Sequence, residues 1–309
     1  MRKRYTNLNE ENNIKTFRDL RKWQKERRSK VKDLTENIQQ CPNKNLIEIQ
    51  ENRSRISYTW IGHSTFFIQM NGLNIVTDPV WAKRMGFQKR LTEPGILLEA
   101  LPEIDLVVIS HGHYDHLDFP TIKKLKGNPH FFVPIGLRSL FLKKGYHRVT
   151  EMNWWDSIEF NGIMLHFVPA QHWTRRTLTD INSSHWGGFI FQSQDKTFYF
   201  VGDTGYFNGF QQIGERFTID TVFMPIGAYE PEWFMADSHI SPEDSVKAFT
   251  ELKAKFFVPM HYGAYRLADD TGPEALDRLY KEWEKQQLPE EQLKVLLLGA
   301  TVMEDGSGQ

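Results

Sequence analysis

The sequence is poor in cysteine, in long apolar runs and in net charge. One cysteine, Cys41, among 309 residues excludes an internal disulfide and a cysteine-based zinc ribbon. No stretch approaches the roughly 20 apolar residues that a membrane helix needs, and the polar N-terminus lacks the apolar core of a signal peptide. A formal net charge of −1 gives the chain no overall attraction to nucleic acid. We therefore expect a soluble, cytoplasmic protein without a nucleic-acid partner.

The first 53 residues differ in composition from the rest. Residues 2–32 contain twelve Lys or Arg against four Asp or Glu. Apolar residues recur at three- and four-residue steps from Ile14 to Ile38, which predicts a charged amphipathic helix. We expect this helix to pack on the main body through its apolar stripe, with its basic face in solvent; peripheral contact with anionic lipid is the alternative. Residues 1–53 are thus predicted to be a basic helical extension of a domain over residues 54–309.

From residue 54 onward, short apolar runs alternate with Gly, Pro, Asp and Asn. The first three runs are typical of consecutive strands, and Asn71-Gly72 is a hairpin signal between the second and third. Later runs alternate with helical patterns, the clearest of which has Ser241 as its cap and Pro242 at its first position. This order predicts an α/β fold of two packed sheets with outer helices. The predicted strands are 56–61, 65–70, 73–77, 106–109, 131–133, 163–168, 188–191, 197–201, 221–224 and 256–258, and the predicted helices are 119–125, 242–252 and 273–287.

A dense group of metal-ligand residue types follows the apolar run 104–110. It comprises His111, His113, Asp115 and His116. Because alternate side chains of a strand point to opposite faces, four such ligands must lie in a turn, for which Gly112 can supply unusual backbone angles. Imidazole and carboxylate together suit zinc, with manganese and iron as alternatives. The motif therefore predicts a metal centre.

Three later strand runs also end in a ligand type, at His172, Asp203 and His261. Functional groups gather at strand ends because the loops there converge on one edge. Two divalent ions about 3.5–4 Å apart can hold a bridging hydroxide and bind a phosphoryl or carbonyl oxygen. We expect seven ligands for two ions: His111, His113 and His172 for the first, Asp115, His116 and His261 for the second, and Asp203 as a bridge.

The pattern His-x-His-x-Asp-His with later His, Asp and His resembles the metallo-β-lactamase superfamily. The resemblance implies a four-layer αββα sandwich of two mixed sheets flanked by helices, with residues 54–309 as the catalytic domain. Between Ser54 and Arg266 the sequence resembles the N-acyl-phosphatidylethanolamine-hydrolysing phospholipase D branch, whose members release phosphatidic acid and an N-acylethanolamine. The segments that carry this likeness are 60–65, 77–80, 110–118, 169–173, 202–206 and 225–235.

The resemblance implies a zinc-dependent hydrolase of lipid metabolism, a phosphodiesterase acting on phospholipid-like substrates. All seven metal positions match the family, and His239 falls where the branch has an active-site histidine. We expect hydroxide held near Asp115 and Asp203 to attack phosphorus in line, with His239 protonating the leaving oxygen or contacting phosphate. The alternatives are a lactonase or other small-molecule hydrolase and, from different classes, a di-iron redox protein or a non-catalytic metal-binding protein.

Six further residues are candidates for supporting the ligands or binding substrate. His63 and Asp78 follow strand runs and would suit orientation of the ligating histidines. Trp173 and Tyr229 are expected in an apolar substrate wall, with core packing as the alternative. The paired arginines Arg175 and Arg176, which follow the proposed ligand His172, would bind an anionic group bidentately unless they are solvated surface charge.

Overall fold

Two mixed sheets share one apolar core in the computed structural model, which describes residues 3–9 and 14–304. In spatial order the first sheet contains β15 (Thr301–Met303), β1 (Ser57–Gly62), β2 (Thr65–Met70), β3 (Leu73–Thr77), β6 (Ile104–Val108), β7 (Gly127–Pro134) and β8 (Val149–Met152). The second contains β14 (Phe256–Met260), β13 (Thr221–Pro225), β12 (Thr197–Phe200), β11 (Gly188–Gln192), β10 (Ile163–Val168) and β9 (Ser157–Phe160). A small hairpin joins β4 (Arg84–Met85) to β5 (Gln88–Lys89).

In each sheet, neighbouring strands are antiparallel on one side and parallel on the other. Strands β15, β1, β2 and β3 are antiparallel neighbours, whereas β3, β6, β7 and β8 run parallel. In the second sheet β9 to β12 are antiparallel and β12 to β14 are parallel. The helices are α1 (Phe17–Ser29), α2 (Leu46–Glu51), α3 (Phe119–Ile122), α4 (Arg138–Lys143), α5 (Gly209–Arg216), α6 (Glu232–Met235), α7 (Pro242–Leu252) and α8 (Gly272–Lys285).

The side chains of the first sheet alternate between two cores. Phe66 and Ile68 face the second sheet, while Phe67 points to a separate core that includes Ile122 of α3 and Phe141 of α4. This alternation is the period of two of a β-strand. Helices α5, α7 and α8 cover the outer face of the second sheet. The layers are therefore helix, sheet, sheet and helix, and the predicted four-layer fold is confirmed.

Helix α7 shows how local signals set an element. The Oγ of Ser241 accepts a hydrogen bond from Asp244 N, and Pro242 occupies the first helical position. The cap satisfies an N–H group that has no partner within the helix. Val246 and Phe249 are buried on the inner side of the helix. The predicted bounds, 242–252, are those of the structure. In the described part of the chain no helix is long and apolar enough to cross a membrane.

The N-terminal helix is shorter than the predicted apolar periodicity. Helix α1 ends where Lys30 adopts an extended conformation, and Val31 is 97% exposed. No α1 residue is buried, but the ring of Trp23 stacks on that of Phe234 with centroids 4.9 Å apart. Ion pairs add to this contact: Lys30 Nζ lies 3.0 Å from Asp269 Oδ2. Both an aromatic and a basic residue of this segment thus face the body. The division of the chain at residue 53 stays a prediction.

Candidate metal centre

The motif loop (residues 109–118) follows β6 and turns back on itself. Leu117 N donates to His113 O at 2.8 Å, which closes the turn. Gly112 does not have a positive φ, contrary to the prediction; a Cβ there would lie 3.3 Å from Ser184 Oγ, which is a tight contact. Positive φ angles near the centre occur at His63, Asp78 and His261.

Three imidazoles meet on one side of the motif loop. His111 Nε2 lies 2.9 Å from His113 Nδ1, and His172 Nε2 lies 3.2 Å from the same nitrogen. His111 and His172 are 1% exposed. These three nitrogens face one another with no carboxylate among them, which is the arrangement that a shared cation would stabilise.

A second group forms around the carboxylate of Asp115. Its Oδ2 lies 3.2 Å from His63 Nε2, 3.5 Å from His116 Nε2 and 3.9 Å from His261 Nε2. The ring of His63 also packs on that of His261 with centroids 4.1 Å apart. The sequence placed His63 among the supporting residues, and the structure puts its imidazole in direct contact with this group.

Asp203 lies between the two groups. Its Oδ2 is 3.0 Å from His261 Nε2 and 3.2 Å from His116 Nε2, and 3.9–4.0 Å from the Nε2 atoms of His172 and His111. Asp203 follows β12 through Gly202, whose φ is 71°. Together the described residues form His and Asp clusters able to bind metal. The number of ions and their assignment to ligands stay predictions.

Outer hydrogen bonds orient the imidazoles. His116 Nδ1 lies 2.6 Å from Asp78 Oδ2, and Ser110 Oγ donates to the same oxygen at 2.5 Å. Ser110 Oγ is also 2.9 Å from His111 Nδ1, and His172 Nδ1 donates to Ser238 O at 2.9 Å. In each case Nδ1 is engaged and Nε2 faces the cluster, as in metal sites with oriented ligands.

Several buried atoms at the centre have no hydrogen-bond partner within the described residues. They include Nε2 of His116, Nε2 of His261 and Oδ1 of Asp203. Buried polar atoms are normally paired, because leaving one unpaired costs about 1–3 kcal/mol. Imidazole nitrogens and a carboxylate oxygen are zinc donors. The residues present therefore fit a divalent metal.

Burial keeps most imidazoles of the centre neutral. It lowers the pKa of His63 to about 3 and the pKa values of His113 and His239 to about 4. The neutral imidazole is the form that ligates a metal. Of these three residues His113 is a proposed ligand, and its neutral form can coordinate a metal at neutral pH.

At His116 the neighbouring carboxylates raise the pKa, whereas burial lowers it at the three imidazoles named above. Burial alone would lower the pKa of His116, but Asp203, Asp115 and Asp78 outweigh burial and raise it well above its ordinary value. Burial would likewise raise the pKa of Asp203, yet His116 and His261 hold it well below the usual range. Positive charge is therefore favoured at this position, where a divalent cation would supply it.

The remaining candidates divide into two groups. His239 Nδ1 is 3.8 Å from Asp203 Oδ2 with its side chain 18% exposed, and Trp173 packs edge-on against His113 at 4.7 Å. Arg175 is exposed and donates to Thr177 O, and it makes no contact with the histidines in the described part of the chain. The side chain of Tyr229 is fully buried in the main core. The guanidinium of Arg278 on α8 lies 4.4 Å from the centre of the tyrosine ring, so the structure places Tyr229 in core packing, the stated alternative, and not in a substrate wall.

Two residues, Arg176 and Ser110, shape the motif loop in ways that the sequence did not predict. Arg176 Nη1 donates to Gly112 O at 2.8 Å and to Leu117 O at 3.0 Å, which fixes both ends of the turn. The paired arginines 175–176 were the signal, but the sequence could not show which of the two points inward. Ser110 had no local signal, because its role depends on Asp78 from another strand.

Two packed sheets with histidines and aspartates gathered at the strand ends define the class of the metallo-hydrolases of the metallo-β-lactamase fold. The family model for the beta-lactamase superfamily domain matches residues 73–262. The chain belongs to this superfamily.

Two relatives carry the name of the phospholipase D branch that this sequence resembles. The chain is 41% identical over 226 residues to N-acyl-phosphatidylethanolamine-hydrolyzing phospholipase D 1 of Caenorhabditis elegans, a match covering 67% of this chain and 64% of the relative. It is 33% identical over 242 residues to the mitochondrial enzyme of that activity from Saccharomyces cerevisiae, covering 73% and 52%. The matches thus span less than two thirds of the length of these relatives.

A solved structure agrees with the fold. Igni18, a metallo hydrolase from the archaeon Ignicoccus hospitalis, superposes with a TM-score of 0.62. The superposition covers 82% of this chain and 99% of that structure at 23% sequence identity. At this identity the likeness concerns the fold.

Proposed function

We propose that this chain is a metal-dependent phosphodiesterase of the phospholipase D type that acts on N-acyl-phosphatidylethanolamine-like substrates. The observation that carries the proposal is the position of Asp203, whose carboxylate lies between two groups of buried ligand atoms. A carboxylate shared by two such groups is suited to a pair of divalent ions, for which we propose zinc. The two named relatives support the phosphodiester as substrate.

The chain supplies a complete set of donors for two ions. When bound, the ions would lower the pKa of a water molecule toward about 7 and neutralise charge on the phosphoryl oxygens. Asp78 and Ser110 keep two of the imidazoles aimed at the centre. The proposed ligands are His111, His113 and His172 for one ion, Asp115, His116 and His261 for the other, and Asp203 between them.

His239 lies on the accessible side of the centre. Its side chain is 18% exposed, whereas that of Asp203 beside it is 1% exposed. Because burial lowers the pKa of His239 to about 4, its imidazole is neutral at pH 7 and carries one N–H. We assign its N–H to donate a hydrogen bond to a phosphate oxygen, while proton donation to the leaving oxygen would require the imidazolium form.

Exposed apolar side chains on the ligand-bearing loops support a lipid substrate. Tyr114 in the motif loop is 53% exposed, Leu178 in the loop after His172 is 88% exposed, and Trp233 of α6 is 39% exposed. Lys22 Nζ lies 4.0 Å from the centre of the Trp233 ring. Exposed apolar side chains with a basic side chain beside them are suited to peripheral contact with a lipid surface that carries phosphate groups.

A substrate screen on protein of measured metal content tests this function. Hydrolysis of N-acyl-phosphatidylethanolamine in vesicles, with phosphatidic acid as product, and of water-soluble bis-p-nitrophenyl phosphate is expected, and lactones should remain intact. Leu178→Ser should lower turnover of the vesicle lipid alone, while Tyr280→Ser on α8 serves as the control for an exposed apolar residue. Faster turnover of lactones than of either phosphodiester would replace the proposal with a lactonase.

A further inference from the structure

We infer that Asn7, in the N-terminal arm (residues 3–9), is a positioning residue for the metal ligand His172. The side chain of Asn7 is buried, with 6% exposure. Its Oδ1 accepts hydrogen bonds from His172 N and from Trp186 Nε1, both at 3.0 Å. The inference rests on the proposed metal centre and does not depend on the identity of the substrate.

One oxygen thus connects the two ends of the loop that carries His172. His172 follows β10 and Trp186 precedes β11, so the loop leaves one strand and returns to its antiparallel neighbour. Trp186 Nε1 also lies 3.0 Å from Ala170 O and would keep that acceptor without Asn7. The N–H of His172 has no second acceptor among its hydrogen bonds in the described residues. The loss of Asn7 would therefore affect His172 more than Trp186.

The arm is held in place by contacts of its own. Tyr5 N donates to Asn182 O at 2.9 Å, and the Tyr5 ring stacks on His185 with centroids 4.7 Å apart. The guanidinium of Arg4 donates to Ile181 O. These contacts lie outside the metal centre, so they place the arm without touching a ligand. Asn7 is the arm residue whose described hydrogen bond reaches one.

Geometry explains why a backbone hydrogen bond matters at this ligand. Ser238 O fixes the ring of His172 through Nδ1, and Asn7 fixes its backbone. A buried N–H without an acceptor would draw the backbone toward another partner, which moves Nε2 away from its place 3.2 Å from His113 Nδ1. Metal sites tolerate displacements of only about 0.5 Å. The residues matched by the family model, 73–262, do not include the arm.

The test compares cobalt binding by four full-length proteins: wild type, Asn7→Leu, Asn7→Asp and Arg4→Ala. Asn7→Leu removes the acceptor, and Asn7→Asp keeps a carboxyl oxygen in its place. Arg4→Ala removes an arm contact that reaches no ligand, while the contacts of Tyr5 and Asn7 continue to hold the arm. The measurements are the Co²⁺ dissociation constant by chelator competition, the visible spectrum of the cobalt protein, and thermal unfolding of the metal-free form. If Asn7→Leu does not fold, Asn7→Ser replaces it.

Asn7→Leu should weaken cobalt binding by about 10–100-fold and change the visible spectrum, as loss of an outer partner does at other metal sites. Asn7→Asp should restore most of the affinity, and Arg4→Ala should bind as wild type does. Equal affinity in wild type and Asn7→Leu would overturn the inference, as would an equal loss in Arg4→Ala. Absence of cobalt binding by wild type would instead overturn the metal centre itself, and with it the role of Asn7.

Discussion

Between the sheets, aromatic rings pack directly on one another: the Phe66 and Phe223 centroids are 4.5 Å apart, and those of Phe198 and Phe223 are 5.8 Å apart. At the metal centre, called the rim below, equally buried atoms of His116 and Asp203 have no partner among the described residues. Apolar side chains satisfy one another by contact alone, whereas buried nitrogens and oxygens need a donor, an acceptor or a cation. The aromatic contacts between the sheets thus need nothing beyond the chain, whereas the imidazole and carboxylate donors of the rim are arranged so that a cation would satisfy them.

Asp203→Asn should break the rim and leave the core intact. The amide removes the negative charge between the two ligand groups, so that the rim should lose metal and at least about 4 kcal/mol of transition-state stabilisation, near a thousandfold in rate. Turnover and metal content are measured on the same sample. Wild-type values of both in Asp203→Asn would contradict its bridging position.

Phe223→Ala should weaken the core and leave metal binding at the rim unchanged. Truncation of this buried ring is expected to lower the free energy of unfolding by about 3–5 kcal/mol, since it leaves a cavity between the sheets. Metal bound per folded molecule should not change. Urea unfolding measures the stability, and Phe17→Ala is the matched control because Phe17 is 71% exposed. A loss of metal in folded Phe223→Ala would show that core and rim are not separable.

Asp78→Asn tests how much an outer hydrogen-bond acceptor contributes to metal affinity at the rim. The carboxylate accepts from Ser110 N at Oδ1 and from His116 Nδ1 and Ser110 Oγ at Oδ2, and an amide has only one acceptor oxygen for these two places. Metal affinity should therefore fall by about 10–100-fold. Asp220→Asn is the control: Asp220 accepts hydrogen bonds from Thr197 N and Lys255 Nζ, neither of which belongs to a proposed ligand. Chelator competition gives both affinities. An unchanged affinity in Asp78→Asn would leave Asp78 as a turn residue only.

The contrast between the apolar core and the rim also explains which features could be predicted from the sequence. Strands buried on both faces, such as β2 and β13, have continuous apolar runs and were placed closely. β8 and β9 were not predicted, because their side chains are mostly half-buried or exposed and their pairing depends on distant segments. The strand ends at 168, 200 and 260 were correct to within one residue or two, and the structure does bring the residues that follow them together.

The supporting contacts of the rim could not be predicted. Asn7 lies in a polar segment without periodicity, and its bond to His172 spans 165 positions. Tyr229 lies within the segment 225–235 that resembles the enzyme branch, yet its ring belongs to the core. Sequence pattern thus finds ligand types at strand ends, whereas side-chain direction and long-range partners require the fold.

Metal titration of the metal-free protein tests the two-ion rim most directly. Zinc is added to the chelated protein, and bound metal and turnover of bis-p-nitrophenyl phosphate are measured on the same samples. The seven-ligand rim predicts no turnover without metal, and activity that rises until two zinc ions are bound per chain. Full activity in the chelated protein, or a plateau at one bound ion, would contradict it.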